Sequence, residues 1–188
     1  MNLCKPLPYT VALLLPEEAM RIASVYRKRL EGVCHKFEKN DTLHLTVKYL
    51  GYPSEVFPEK HVVELIPKIC ELMRPFIPAK VYIRGIDMFW KNPDVFPVAY
   101  LNVVSDEPLK TMHNLLLEKL GYMLEPFPGT DAENYRPHIT ISKNVIKNQV
   151  SRLKKLVFRS KKTKKRVLLL KNLVLFTPTS AYTILSVD

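Results

Sequence analysis

The chain has 188 residues, 47% of them hydrophobic, enough to bury a core without staples, and it reads as one domain or one domain built from two lobes. Its three cysteines, Cys4, Cys34 and Cys70, make no CxxC pair and no even framework, which argues against a secreted disulfide scaffold or a structural zinc site and for a reducing compartment. The formal charge of +11 lies wholly in the last 48 residues: Ile141–Asp188 holds 12 of the 29 Lys and Arg with a single acid, while residues 1–140 carry 17 bases and 17 acids.

Tyr9–Leu15 is a β-branched and apolar run suited to a buried strand. Pro16 and two glutamates end it, so it is too short for a signal-peptide core or a membrane span. The expectation is a soluble cytoplasmic protein without membrane contact, a monomer, with a nuclear location open for a eukaryotic host. Pro16 starts a helix whose first turn holds Glu17 and Glu18, and Ala19, Ile22, Ala23, Tyr26 and Leu30 repeat at helical spacing. Thr42–Gly51 is a second strand. A second helix runs over 58–75, with Val62, Ile66, Ile69 and Met73 on one face and Pro67 expected to kink or split it. Residues 79–90 form a third strand.

The order then recurs. Residues 97–104 make a strand, and 106–124 a helix with Leu109, Met112, Leu116 and Leu120 on one face. A Pro- and Gly-bearing loop over 125–135 leads to strand 136–143, then to a helix over Val145–Phe158 striped by Ile146, Val150, Leu153 and Val157. Strands over 166–176 and 181–187 close the chain. Strand, helix, strand, helix, strand thus occurs twice, which predicts an α+β fold with two similar lobes.

The middle strand of each half holds the same triplet, His44-Leu45-Thr46 and His138-Ile139-Thr140. Side chains alternate across a strand, so His44, Thr46 and Lys48 point one way and Leu43, Leu45, Val47 and Tyr49 the other; His138, Thr140 and Ser142 likewise oppose Ile139 and Ile141. A histidine and a threonine facing a closed core would lack partners, whereas two such fronts facing one shared cleft can grip a ligand. Five histidines and ten threonines in this length make about 0.3 such triplets by chance, so the pair carries more weight than either member.

Two such triplets, carried by "HLTVKYLG" and "YRPHITISK", resemble the 2H phosphoesterases. Within these the chain is similar to the RNA 2',3'-cyclic phosphodiesterases historically called 2'-5' RNA ligases, and the likeness extends over nearly all of residues 1–188 as a single domain of this kind. The resemblance implies a bilobal fold with a pseudo-twofold axis, two antiparallel sheets flanking a central cleft and helices outside. It also implies hydrolysis of the 2',3'-cyclic phosphate ends of RNA or nucleotides to 2'-phosphates, without metal or cofactor. His44 and His138 would be the acid and base, in either order, because opening a cyclic phosphate in line needs both on opposite sides of phosphorus. Thr46 and Thr140 would donate hydrogen bonds to the non-bridging oxygens.

Lys48 shares a face with His44 and is a candidate phosphate ligand. Lys143 stands where relatives often have arginine, which keeps the charge without the bidentate geometry, and strict alternation points it away from His138. Tyr135 and Arg136 precede the second triplet closely enough to touch a ligand, although Tyr135 serves equally as a loop anchor; Phe89 and Trp90 would stack a base or fill the core. His35, His61 and His113 read as surface or packing residues. The sequence departs from relatives at Ser180 and Ala181, where a glycine is common before the aromatic, and in its dense basic run "SKKTKKR". That run suits a polyanion such as RNA, a solvated face or a nuclear address. Two other functions remain open: cleavage of 2'-5' linked oligonucleotides with a neighbouring 3'-hydroxyl attacking, and a non-catalytic nucleotide or RNA binder. Ligation is left as a side reaction, since no nucleotidyl-transfer lysine motif is evident.

Overall fold

The computed structural model of the protein describes residues 7–90, 97–105 and 107–187. Strand β1 (Tyr9–Leu14), helix α1 (Glu17–Arg29), β2 (His44–Gly51), α2 (Glu59–Met73) and β3 (Ala79–Phe89) make the first half, and β4 (Val98–Ser105), α3 (Glu107–Leu120), β5 (His138–Ser142), α4 (Val150–Ser160) and β6 (Arg166–Leu170) repeat the order. Then come β7 (Asn172–Phe176) and β8 (Ala181–Ser186). The strands form two antiparallel four-stranded sheets, ordered β2-β1-β7-β8 and β5-β4-β3-β6, an α+β fold as the repeat predicts. In each sheet the triplet strand is an edge strand paired with the strand that precedes it, while the third strand comes from the other half of the chain: β7 beside β1, β3 beside β4. This exchange ties the halves together, so neither completes its sheet alone.

The run 166–176 is therefore two strands rather than one, divided at Lys171 because β6 edges one sheet and β7 lies inside the other. A continuous apolar stretch shows burial and not the sheet that receives it. Pro67 neither kinks α2 to a break nor splits it. Its side chain is exposed, so the ring and the carbonyl it leaves unbonded face water, where the loss is least. The buried stripe of α2 is Val62, Leu65, Ile69 and Met73, with Ile66 only partly covered. Helix α4 begins later than the periodicity predicts, after a short turn at Lys147–Gln149. Cys34 and Cys70 are free thiols, and Cys4 lies outside the described residues. Among the described residues no helix is long and apolar enough to cross a membrane.

Helix α4 docks on β3 at Gly85, where two residues of β3 oppose one of β4 and the backbone takes φ +67°. The Ser160 hydroxyl accepts the Ile86 amide at 3.0 Å, and a Cβ on residue 85 would fall 2.5 Å from that hydroxyl and 2.6 Å from the Ser160 carbonyl. Gly85→Ala is expected to lower stability by about 2 kcal/mol or more, since it adds a left-handed alanine to a backbone clash. Urea denaturation measures this; an unchanged midpoint would show that α4 does not sit on β3 this closely.

Candidate active site

The sheets are laced at the two triplet strands by reciprocal bonds. The segment leading to β2 bonds to the end of β5: the His35 amide donates to Asn144 O at 2.9 Å, the Glu38 amide to Ile141 O at 2.8 Å, and the Ser142 hydroxyl to Lys36 O at 2.6 Å. The segment leading to β5 bonds to β2, with the Glu125 amide on Leu50 O at 2.9 Å and the Tyr135 hydroxyl on Thr46 O at 2.8 Å. The result is one cleft of about 320 Å³ whose lining includes Thr46, Phe89, Tyr135, His138, Thr140 and Lys143. His44 lies close enough that its charge lowers the pKa of His138.

The two imidazoles are held alike. His44 Nδ1 lies 2.7 Å from Thr42 O and His138 Nδ1 2.7 Å from Arg136 O, in each case the carbonyl two residues earlier. A carbonyl only accepts, so Nδ1 carries the proton in both rings and Nε2 is the atom left to accept or release one. Aromatic neighbours fix the ring planes. His44 packs on Phe176 with centroids 4.7 Å apart; His138 meets Phe89 edge-on at 4.8 Å and Tyr100 at 5.3 Å. Burial, chiefly, and then Asp87 push the Tyr100 pKa up to about 12, so it stays a neutral phenol beside His138. Burial is also the main force holding both imidazoles below their ordinary pKa, opposed by the carbonyl bonds and reinforced by the Lys143 charge.

Thr46, His138 and Thr140 line the cleft together, and His44, outside that lining, stands near enough for its charge to reach His138; the two lysines are treated otherwise. Lys48 is 1% exposed, and its ammonium is 2.6 Å from Asp131 Oδ1, so a carboxylate already occupies the cation that alternation offers to phosphate. Lys48 still lines the cleft, just past a bulge in β2 where Val11 pairs with Lys48 and Ala12 with Thr46 and Val47 is the extra residue. Lys143, expected on the far face, lines the cleft because β5 ends at Ser142 and alternation ends with it; its ammonium is 3.4 Å from Glu38 and remains half exposed. Tyr135 is an anchor through its bond to Thr46 O and still contributes to the cleft lining. Phe89 lines the cleft and Trp90 stands 39% exposed just beyond it.

Sequence reading missed Asp131, and it had His113 as a surface or packing residue, of which the structure shows the packing role beside the cleft. His113, 1% exposed, puts Nδ1 2.7 Å from Val47 O and stacks on the Tyr135 ring at 4.0 Å and 7°. Its Nε2 has no hydrogen-bond partner and lies 3.8 Å from Asp131 Oδ1, a geometry that suits a neutral ring, and burial lowers its pKa accordingly. Asp131 also accepts the Phe127 amide at 2.8 Å. Signals for both existed: His113 falls on the helical stripe of Leu109, Leu116 and Leu120, and a lysine in an apolar strand calls for a carboxylate elsewhere.

Among solved structures the fold is similar to E. coli LigT complexed with 3'-AMP (16% identity, 92% of this chain and 88% of that one, TM-score 0.54) and to TT0787 of Thermus thermophilus (18%, 94% and 93%, 0.54). It is also similar to Kluyveromyces marxianus Usb1 (13%, 95% and 96%, 0.54). No curated protein sequence matches the chain. Residues 16–177 match the 2'-5' RNA ligase superfamily. With that match spanning both triplets, the chain belongs to the 2'-5' RNA ligase superfamily, the two-histidine phosphoesterases, a family of enzymes that act on phosphodiester bonds.

Proposed function

We propose that the protein hydrolyses the 2',3'-cyclic phosphate ends of RNA or nucleotides and leaves a 2'-phosphate. The observation that carries this reading is the matched pair of imidazoles, each with Nδ1–H tied to a carbonyl and Nε2 left to exchange a proton beside one cleft. Nε2 of one histidine takes a proton from water, the water oxygen bonds to phosphorus, the bond from phosphorus to O3' breaks, and the other histidine's Nε2 gives its proton to O3'. The Thr46 and Thr140 hydroxyls, on the same strand fronts, donate to the non-bridging oxygens as they gain charge. Lys143 lends a positive field, and Lys48 is assigned to its pair with Asp131 rather than to the substrate. That LigT, similar in fold, is complexed with 3'-AMP supports a nucleotide as the ligand class.

Thr46→Val and Thr140→Val keep the side-chain shape and remove the donor, and each is expected to lower kcat about 10²-fold or more with little change in KM, as measured by steady-state hydrolysis of a 2',3'-cyclic nucleotide. An assay of 2'-5' and 3'-5' linked oligoadenylate beside 2',3'-cyclic AMP tests the substrate class. Turnover of the cyclic phosphate and of neither linkage is the expected result; selective cleavage of the 2'-5' linkage would replace hydrolysis with attack by a neighbouring 3'-hydroxyl.

A further inference from the structure

Helix α4 buries Val150, Leu153 and Val157 against the rest of the fold and turns its other side to solvent. From Arg152 to Arg166 the chain holds nine Lys and Arg, all exposed, and no acid. Among the described residues only one of the nine, Lys161, has a carboxylate partner, Asp87 at 3.4 Å. A face that merely solvates the helix has no need of aromatics, yet two stand here. Phe158 is 68% exposed with Lys162 Nζ 5.6 Å from its ring centroid, and Trp90 is 39% exposed with Lys154 Nζ 5.7 Å from its own. Trp90 follows Phe89, which lines the cleft and touches His138. Through Lys154 and Trp90 the outer face of α4 thus meets the residue next in sequence to one that lines the cleft.

We infer that the α4 face and Trp90 bind the body of a single-stranded RNA whose 3' end lies in the cleft, which makes the substrate an RNA chain rather than a free nucleotide. The inference rests on the proposed reading of the cleft as a site for RNA 3' ends. Exposed rings with ammonium groups beside them offer a base its stacking surface and the neighbouring phosphate its counter-charge, the combination that binds single strands without reading sequence. The 11 residues of α4 span about 16 Å. Stacked nucleotides rise about 3.4 Å each, so the face covers about five beyond the reacting end. This uses the charge excess that the cleft itself leaves unexplained, since Lys143 is the one member of that excess lining it.

Two exposed-face variants of the full chain, Lys154→Glu/Lys155→Glu and Phe158→Ala, test this against two substrates: a 2',3'-cyclic mononucleotide and a 12-nucleotide RNA ending in a 2',3'-cyclic phosphate. Each variant is expected to raise KM for the RNA about tenfold and to leave turnover of the mononucleotide and the melting temperature as in the parent. Equal effects on both substrates, or no effect on the RNA, would overturn the inference while leaving the cyclic phosphodiesterase reading in place. A second arm needs no turnover: fluorescence anisotropy of the labelled RNA with the His138→Ala chain. Without charge reversal, log Kd should climb steeply with log salt, and the lysine pair should lower that slope by about 1.4. If no cyclic phosphate is turned over, the proposed function fails and this arm alone decides the surface. Capture by phosphatidylserine vesicles without RNA binding would overturn it in favour of a membrane partner.

Discussion

His44→Ala and His138→Ala are each expected to lower kcat on a 2',3'-cyclic phosphate by about 10²- to 10⁴-fold, the range for a positioned general acid or base, with KM nearly unchanged. The double variant should be little worse than either single one, because an acid and a base that act in one step fail together. Steady-state kinetics on the three variants check this, and a loss below about tenfold in either single variant would remove the two-histidine mechanism. The pH dependence has a definite sign. Burial holds both imidazoles below the ordinary value near 6.5, and the free enzyme needs one neutral and one protonated ring. kcat/KM is therefore expected to be bell-shaped with its maximum on the acid side of about pH 6.5, and to fall toward alkaline pH as the acid loses its proton. A maximum well above neutrality would contradict the buried setting of these rings. Folding stability runs the other way: the unfolded chain binds more protons below about pH 6.5, so stability is full above that pH and declines as pH falls through the lowered folded values.

Asp131→Asn is expected to cost about 3–5 kcal/mol of stability, because it leaves the Lys48 ammonium buried without a counter-charge. The Lys48 side chain is 0% exposed and burial already lowers its pKa against the pull of Asp131, so nothing in the surroundings replaces that carboxylate. Lys48→Met should cost less. The Asp131 side chain keeps 13% exposure and the Phe127 amide, and methionine fills the lysine's apolar path. The double variant Lys48→Met/Asp131→Asn should recover part of the Asp131→Asn loss, a coupling that a double-mutant cycle in urea reports. Additive losses would mean that the two side chains do not form this pair. Loss of the pair should reach the site as well, because His113, Tyr135 and Asp131 hold the carbonyls and side chain of three consecutive residues, Thr46–Lys48.

The sequence made the chemistry legible before the architecture. Each HxT triplet announced itself because a polar pair among apolar neighbours costs free energy unless it has a ligand or a partner to meet, and the repeat of strands and helices placed both triplets alike. What single residues could not show were the events at strand ends and irregularities. Lys143 follows a strand terminus, so the rule of alternation misdirected it, while Lys48 lines the cleft as alternation has it but is taken up by its pair with Asp131. Lys171 marks a change of sheet inside one apolar run, and the exchange of β3 and β7 between sheets has no local signature at all. Asp131 sits in an irregular loop 83 residues from Lys48, where no period operates. His113 was legible on the α3 stripe, but its meaning depended on a carbonyl of β2 that only the packed structure brings near.

The most direct test of two-histidine catalysis is phosphorus NMR of all four nucleoside 2',3'-cyclic phosphates incubated with the protein in EDTA, beside the His138→Ala variant. Conversion to the 2'-phosphate by the parent protein with chelator present, and no conversion by the variant, is the expected result. Conversion that survives in His138→Ala, or that the chelator abolishes in the parent, would contradict it.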